Sequence, residues 1–381
     1  MNKITVMSIF GTRPEAIKMA PLVLELERRE NINSLCCVTA QHREMLDSVL
    51  EIFKIKPDYD LDIMTPKQTL STITTKILTG LEELFTKVKP DVVLVHGDTS
   101  TAFVSALAAF YHQIPVGHVE AGLRSFDKYS PYPEEMNRKL IGNIADLNFC
   151  PTINNAKNLE HEALTDGIFI TGNTVIDALK YTVSDNYSFH SEDINNIDFD
   201  NFRTILMTAH RRENYGEPMK NIMHAVRDVI ESHPDVQVIY PVHMSPVVRE
   251  TVYDILGNVP RVHLIDPIDV GDMHNLMARA HFILTDSGGL QEEAPSLGKP
   301  VLVMRRETER PEAVRAGTVK IVGVEREDIR KSACELLENE DAYNRMAHAV
   351  NPYGDGNASK RLADAILWKL AGIGEKPADF E

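Results

Sequence analysis

The chain has 381 residues, 43% of them hydrophobic and 25% charged, enough for two domains that each bury a sizeable core. Aspartate and glutamate number 56 against 40 lysines and arginines, a formal charge of −16, which excludes a general nucleic-acid or anionic-membrane binder. An anionic substrate would have to find its cations locally, in a cleft.

Residues 4–9 predict a strand and 14–29 a helix; 35–39 is a strand, 44–53 a helix, and 70–87 has helical periodicity. Strands over 92–96, 116–119 and 147–150 alternate with helices over 101–111 and 134–145. A second series begins with strand 204–208 and helix 218–231, then strand 236–240, helix 246–256, strands 262–265 and 282–285, helix 290–297 and strand 300–304. This β-α alternation predicts an α/β fold, two doubly wound parallel sheets, with ligands at the carboxyl ends of the strands in a cleft between the domains. The polar, aperiodic stretch 183–201 reads as a surface excursion or linker, 351–356 as a loop and 358–370 as a final amphipathic helix. Domains are expected over 1–172 and 173–355, with 356–381 packing back on the first. The N-terminal segment has no signal-peptide pattern and no apolar run reaches membrane-spanning length, so the expected location is the cytoplasm. Cys36, Cys37, Cys150 and Cys334 make no C-x-x-C pair and their spacing offers no zinc site; buried free thiols are expected.

The polar motifs follow predicted strands. In Gly11-Thr12-Arg13-Pro14-Glu15-Ala16-Ile17-Lys18, Thr12 and Glu15 fit a capping box, while Arg13 and Lys18 at a helix start oppose the dipole unless an anion uses them. The run is not G-x-G-x-x-G, so no nicotinamide cofactor is indicated. In His96-Gly97-Asp98-Thr99, Asp98 or Thr99 can cap the next helix. Glu120 closes an apolar strand, where a carboxylate is costly unless paired or used, and Arg124 is a possible partner. Pro133 with Glu134 and Glu135 suits a helix start, with Glu134 and Arg138 an i,i+4 pair. His210-Arg211-Arg212 ends a strand in an otherwise acidic chain, making His210 the best catalytic histidine, with His243 a weaker one. Two glycines in Asp286-Ser287-Gly288-Gly289 let backbone approach a phosphate, and Glu292 or Glu293 could accept from ribose hydroxyls. Arg310 could face a phosphate or pair with neighbouring glutamates. No metal-ligand spacing, nucleophile elbow or Walker loop is present, which leaves acid–base chemistry on a phosphorylated ligand.

Together the segments GTRPEAIKMAPL, TAQHREML, HGDTST, GHVEAGLRS, PYPEEMNR, TGNTVIDAL, TAHRREN, YPVH, DSGGLQEEAPSLGKPVLV and TERPEAVRAGT, in order from Gly11 to Thr318, resemble the non-hydrolysing UDP-N-acetylglucosamine 2-epimerases of bacterial type. The resemblance implies a GT-B-like fold of two Rossmann-like domains with an interdomain active site. It implies a reversible isomerase that converts UDP-GlcNAc to UDP-ManNAc by eliminating UDP to a 2-acetamidoglucal and adding it back, supplying ManNAc for cell-surface polysaccharide. By motif, Asp98, Glu120, Glu134, His210 and Lys18 would be catalytic; Arg13, Lys18, His243, Ser287, Gly288, Gly289, Glu293 and Arg310 would bind substrate and UDP. Gln41, His42, Gln68, Glu134 and Arg211 would hold a second UDP-GlcNAc as allosteric activator. The resemblance implies a homodimer that needs no NAD and no metal; the acidic charge balance argues against a nucleic-acid or membrane partner. The charged stretch Arg305-Arg306-Glu307, and Ile268 and Met273 near the expected uracil site, depart from the family pattern. The alternatives are a hydrolysing 2-epimerase, a GT-B glycosyltransferase, for which no acceptor patch is visible, and a silent nucleotide-sugar sensor, which would need no acids.

Overall fold

The computed structural model describes residues 3–41, 43–65 and 68–381. These form two compact units, one running to Tyr181 and resuming at Tyr353, the other spanning Thr182–Pro352.

The first unit alternates β1 (Ile4–Phe10), α1 (Arg13–Glu27), β2 (Ile32–Val38), α2 (Arg43–Phe53), β3 (Tyr59–Asp60), α3 (Leu70–Val88), β4 (Val92–His96), α4 (Ser100–Tyr111), β5 (Val116–Val119), α5 (Glu134–Ile144), β6 (Leu147–Cys150), α6 (Ile153–His161), β7 (Ile168–Ile170) and α7 (Thr174–Thr182). Its seven strands are all parallel, in the order β3-β2-β1-β4-β5-β6-β7. Parallel strands covered by helices on both faces read as continuous apolar runs, and β4 is buried at every position. On one face, Ile77, Leu81 and Phe85 of α3 and Val104 and Ala108 of α4, at helical spacing, pack on Met7, Ile9, Val93 and Val95 of the sheet.

The second unit contains α8 (Glu192–Asn195), β8 (Arg203–Thr208), α9 (Glu217–Ser232), β9 (Val236–Pro241), α10 (Pro246–Leu256), β10 (Val262–Ile265), α11 (Val270–Arg279), β11 (Phe282–Thr285), α12 (Gly288–Glu293), β12 (Val301–Val303), α13 (Pro311–Ala316), β13 (Val319–Ile321), α14 (Arg326–Glu338) and α15 (Glu340–Ala347). Its strands are again parallel, in the order β10-β9-β8-β11-β12-β13. Ile222, Val226, Val229 and Ile230 of α9 join the core formed with Ile205, Met207, Val238 and Tyr240. The helix expected over 290–297 starts at Gly288 and tightens into a 3₁₀ turn over Ala294–Leu297.

α16 (Ala358–Ile366) returns to the first unit and packs on α1. This return explains why that unit extends past 172. The Asn173 N–H donates to the Tyr353 carbonyl at 2.6 Å, and the Asp177 carboxylate accepts from the N–H groups of Ala358 and Ser359 at 3.2 and 2.8 Å. Stretch 183–201 is not a mere surface excursion. Phe189, Ile194 and Ile197 are buried in the second unit, Phe189 stacks on Phe199, and the Tyr187 hydroxyl donates to Asp272 at 3.0 Å. Its apolar residues lack a regular period, so the pattern hid them. All four cysteines are buried and free, and among the described residues no helix is long and apolar enough to cross a membrane.

Candidate active site

In each sheet the strand order reverses beside the first strand of the unit, between β1 and β4 and between β8 and β11. Ligands of open α/β sheets sit at the carboxyl ends of such strands, and the residues singled out from sequence cluster there, unit by unit.

At the end of β1 only glycine fits: a Cβ on Gly11 would stand 1.9 Å from the Thr39 hydroxyl. Glu15, in the first turn of α1, reaches back to accept from the N–H groups of Gly11 and Thr12 at 3.1 and 2.8 Å and from the Thr12 hydroxyl at 2.7 Å. Its other oxygen takes the Thr99 hydroxyl at 2.6 Å, which ties the β1–α1 turn to the β4–α4 turn. Burial raises this carboxyl against the lowering effect of those bonds. Thr99, not Asp98, caps α4, accepting from the Ala102 N–H at 3.0 Å. Arg13 is exposed at the helix start.

Glu120 follows β5 directly and holds a left-handed backbone, φ 64°. For a residue other than glycine this conformation costs about 1–3 kcal/mol and is concentrated at functional sites. Its Oε2 accepts from the ammonium of Lys18 and from Asn173 Nδ2 at 2.9 Å, with His96 Nε2 at 3.8 Å. The partner expected for it, Arg124, instead forks onto Glu162 at 3.0 and 2.7 Å. Burial pushes the His96 imidazole down to about 3, so it is neutral near pH 7, and its Nε2 has no hydrogen-bond partner among the described residues. His118 is likewise pushed down to about 4 by burial, and its Nε2–H donates to the Gly97 carbonyl at 2.7 Å.

Asp98, at the end of β4, is gripped by Arg138 of α5 through Nε at 2.8 Å and Nη2 at 2.7 Å, while Asn137 Nδ2 donates to the Asp98 carbonyl at 2.8 Å. The same guanidinium reaches Glu135 at 3.1 Å. Burial raises the Glu135 carboxyl, but the N–H groups of Ser125 and Phe126 and the Arg138 charge outweigh it and leave the group below its ordinary range. The expected Glu134–Arg138 pair therefore does not form, because Arg138 faces inward to two other acids. Glu134, at the start of α5, is half-buried, and its Oε2 is buried with no hydrogen-bond partner among the described residues. An unsatisfied buried carboxylate oxygen is costly and asks for an explanation. Gln68 Nε2 donates to the Gln41 carbonyl at 3.3 Å and Gln41 Oε1 accepts from Thr101 at 3.0 Å, so those two residues meet beside the Gly11 turn. His42 lies outside the described residues, and Arg211 belongs to the second unit.

In the second unit, the fully buried Asp286 follows β11 and organises the turn after β8. Its Oδ2 accepts from the N–H groups of His210 and Arg211, both at 2.8 Å, and from Asn214 Nδ2 at 3.1 Å; its Oδ1 lies 3.3 Å from His210 Nδ1. The His210 ring stacks on His243, centroids 5.6 Å apart. Burial lowers the His210 imidazole, Asp286 raises it, and Arg211 and His243 lower it, with a net shift downward. Both residues line a cavity of about 630 Å³ with Arg211, Arg212, Glu213, Tyr215 and Ser245.

At the glycine turn, a Cβ on Gly288 would meet the guanidinium of Arg211 at 3.9 Å and that of Arg310 at 4.0 Å. Two cations thus flank backbone bare of side chain, a fitting anion cradle. Arg310 does pair with a glutamate, the buried Glu292, whereas Glu293 lies against Gly289 and 3.5 Å from His274. Arg211 Nε is buried with no hydrogen-bond partner among the described residues. Arg305 is taken up by Glu213 at 2.6 Å.

Sequence reasoning passed over His96, Asn173 and Asp286 as individuals and read Arg138 only as a partner for Glu134. It also gave no sign that His233, Cys334 and Glu338, or His190, Asp269 and Asp272, bring possible metal-ligand atoms within 4.8 Å of one another; neither group belongs to the strand-end clusters.

The family model described as UDP-N-acetylglucosamine 2-epimerase matches residues 24–367. The UDP-N-acetylglucosamine 2-epimerase of Bacillus subtilis is 57% identical over 381 residues, 100% of this chain and 99% of that protein. The crystal structure of the UDP-GlcNAc 2-epimerase from Neisseria meningitidis bound to UDP-GlcNAc, 50% identical, superposes with a TM-score of 0.84 over 96% of this chain and 100% of that one. A glycotransferase of kitacinnamycin, 11% identical, matches with a TM-score of 0.64 over 97% of this chain and 100% of that one, a likeness of GT-B-type fold alone. The chain belongs to the UDP-N-acetylglucosamine 2-epimerase family.

Proposed function

We propose that the protein inverts C2 of UDP-N-acetylglucosamine, interconverting it with UDP-N-acetylmannosamine without hydrolysis. C2 has no adjacent carbonyl to stabilise a carbanion, so direct removal and return of its proton is unfavourable. The workable route removes the C2 proton as the C1–O bond breaks. UDP departs with the bonding electrons and leaves a 2-acetamidoglucal. UDP then adds back while a proton reaches C2 from the opposite face. That demands a base, an acid and cations for the departing diphosphate, and it calls on neither a redox cofactor nor a metal.

Asp98, Glu120 and Glu134 are the acid–base carboxylates on this reading, with Lys18 and His210 completing the catalytic set. Arg13, His243, Ser287, Gly288, Gly289, Glu293 and Arg310 hold the substrate and its UDP. The observation that carries the reading is the treatment of the two acids that end adjacent strands: Asp98 in the grip of Arg138, Glu120 in that of Lys18 and Asn173. Gln41, His42, Gln68, Glu134 and Arg211 form the activator site for a second UDP-GlcNAc. The enzyme works in the cytoplasm as a homodimer, and its product feeds cell-surface polysaccharide.

Product identity tests this reading. With UDP-GlcNAc as sole substrate, NMR should show a UDP-ManNAc anomeric signal growing to a constant ratio with little free sugar. Accumulation of free N-acetylmannosamine with UDP would convert the assignment to a hydrolase, and an unchanged substrate would refute it.

A further inference from the structure

We propose that Asp286 is the positioning residue of His210, holding the imidazole as its Nδ1–H tautomer so that Nε2 is the nitrogen offered to the substrate. The inference rests on the epimerase reading, within which it assigns a function to a residue otherwise part of the glycine turn.

The two oxygens of Asp286 divide the work. Oδ2 is saturated by three donors, the N–H groups of His210 and Arg211 and the side-chain amide of Asn214. Asn214 is itself fixed by a second bond, 3.1 Å to the Met304 carbonyl, so the carboxylate cannot rotate without breaking several contacts. Oδ1 is fully buried, has no hydrogen-bond partner among the described residues, and has His210 Nδ1 3.3 Å away. A buried carboxylate oxygen without a donor is expensive, and the Nδ1–H of His210 is the donor within reach. The bond to Oδ2 fixes the His210 backbone, and the His243 ring lies nearly parallel to the imidazole with centroids 5.6 Å apart. A proton on Nδ1 would close the gap to Oδ1 and leave Nε2 for proton transfer. An aspartate that fixes a histidine tautomer in this way is the logic of a catalytic dyad, realised here on the ends of two neighbouring parallel strands.

Asp286→Asn is the discriminating change. The amide oxygen would keep the place of Oδ2, because three donors demand an acceptor there. The NH2 group would then face His210 Nδ1, donate to it, and drive the proton to Nε2. Three groups act on the imidazole charge: Asp286 raises its proton affinity, and Arg211 and His243 lower it along with burial. Removing the Asp286 charge therefore moves any rate limb due to His210 to lower pH.

Nitrogen-15 NMR of histidine-labelled protein above pH 8 reads the tautomer directly, and kinetics read its consequence. In the unaltered protein His210 should carry its proton on Nδ1; in D286N it should carry it on Nε2, with turnover down about 10²–10⁴-fold and unchanged circular dichroism. The double variant D286N/H210Q should be no slower than H210Q alone, since Asp286 acts through His210. A proton on Nε2 in the unaltered protein would overturn the proposal, even if D286N fails to fold. So would a D286N loss that multiplies with that of H210Q, or a D286N enzyme with an unmoved pH limb and normal turnover. If the unaltered protein does not epimerise at all, the functional reading falls, while the tautomer result still judges Asp286 by itself.

Discussion

Glu120→Gln should lose about 10²–10⁴-fold in turnover, the usual worth of a positioned acid or base, while UDP still binds. The substitution keeps the length of the side chain and an oxygen for Lys18 and Asn173 to meet, so the cluster at the end of β5 keeps its shape. What it removes is the ability to take and give a proton. Asp98→Asn makes the parallel prediction at the end of β4, where an amide oxygen in the place of Oδ2 can accept both arms of Arg138. Steady-state kinetics paired with calorimetric titration of UDP separates the two quantities. A normal rate in either variant removes that residue from the chemistry. A lost UDP affinity that matches the lost rate would assign it to binding instead.

Arg138→Ala should destabilise the first unit by about 3–5 kcal/mol, the cost of leaving buried charge without its partner. The arginine satisfies Asp98 and the fully buried Glu135 at once, and Glu135 in turn fastens the backbone of Ser125 and Phe126. Arg138→Lys should recover only part of the loss, because one ammonium cannot reproduce a fork that serves two carboxylates. Trp368, the single tryptophan of the chain, belongs to the first unit, so its fluorescence during urea unfolding follows the relevant transition. Adding Glu135→Gln to Arg138→Ala should recover part of the stability, since the stranded charge is then gone although the new amide NH2 faces one of the two backbone N–H groups that the carboxylate accepted from. A double variant less stable than Arg138→Ala would show that Arg138 contributes mainly packing.

Much of this was legible in the sequence because the physics was local. Apolar runs between helical stretches marked the strands, and the Thr12–Glu15 capping box formed as its spacing required. The polar residues after β1, β4, β5, β8 and β11 fell where parallel α/β sheets place ligands. Illegible features were those decided by tertiary partners. Glu134 and Arg138 have ideal helical spacing, but Asp98, forty positions upstream, competes for the arginine and wins. Arg124 lies four residues from Glu120, yet Lys18, from a different β-α unit, is the cation that reaches it. Asn173 carries no charge and sits 53 positions from Glu120, so nothing in its surroundings announces the contact. Strands as short as Ile168–Ile170 and Val319–Ile321 offer too few residues for a period to show.

The central claim is that a proton leaves and rejoins C2 of the bound sugar. The most direct measurement is to incubate the protein with UDP-GlcNAc in deuterated water and follow the C2 hydrogen by NMR. Deuterium should appear at C2 of both UDP-GlcNAc and UDP-ManNAc as the two approach their equilibrium ratio. Formation of UDP-ManNAc that retains its C2 hydrogen would contradict the account.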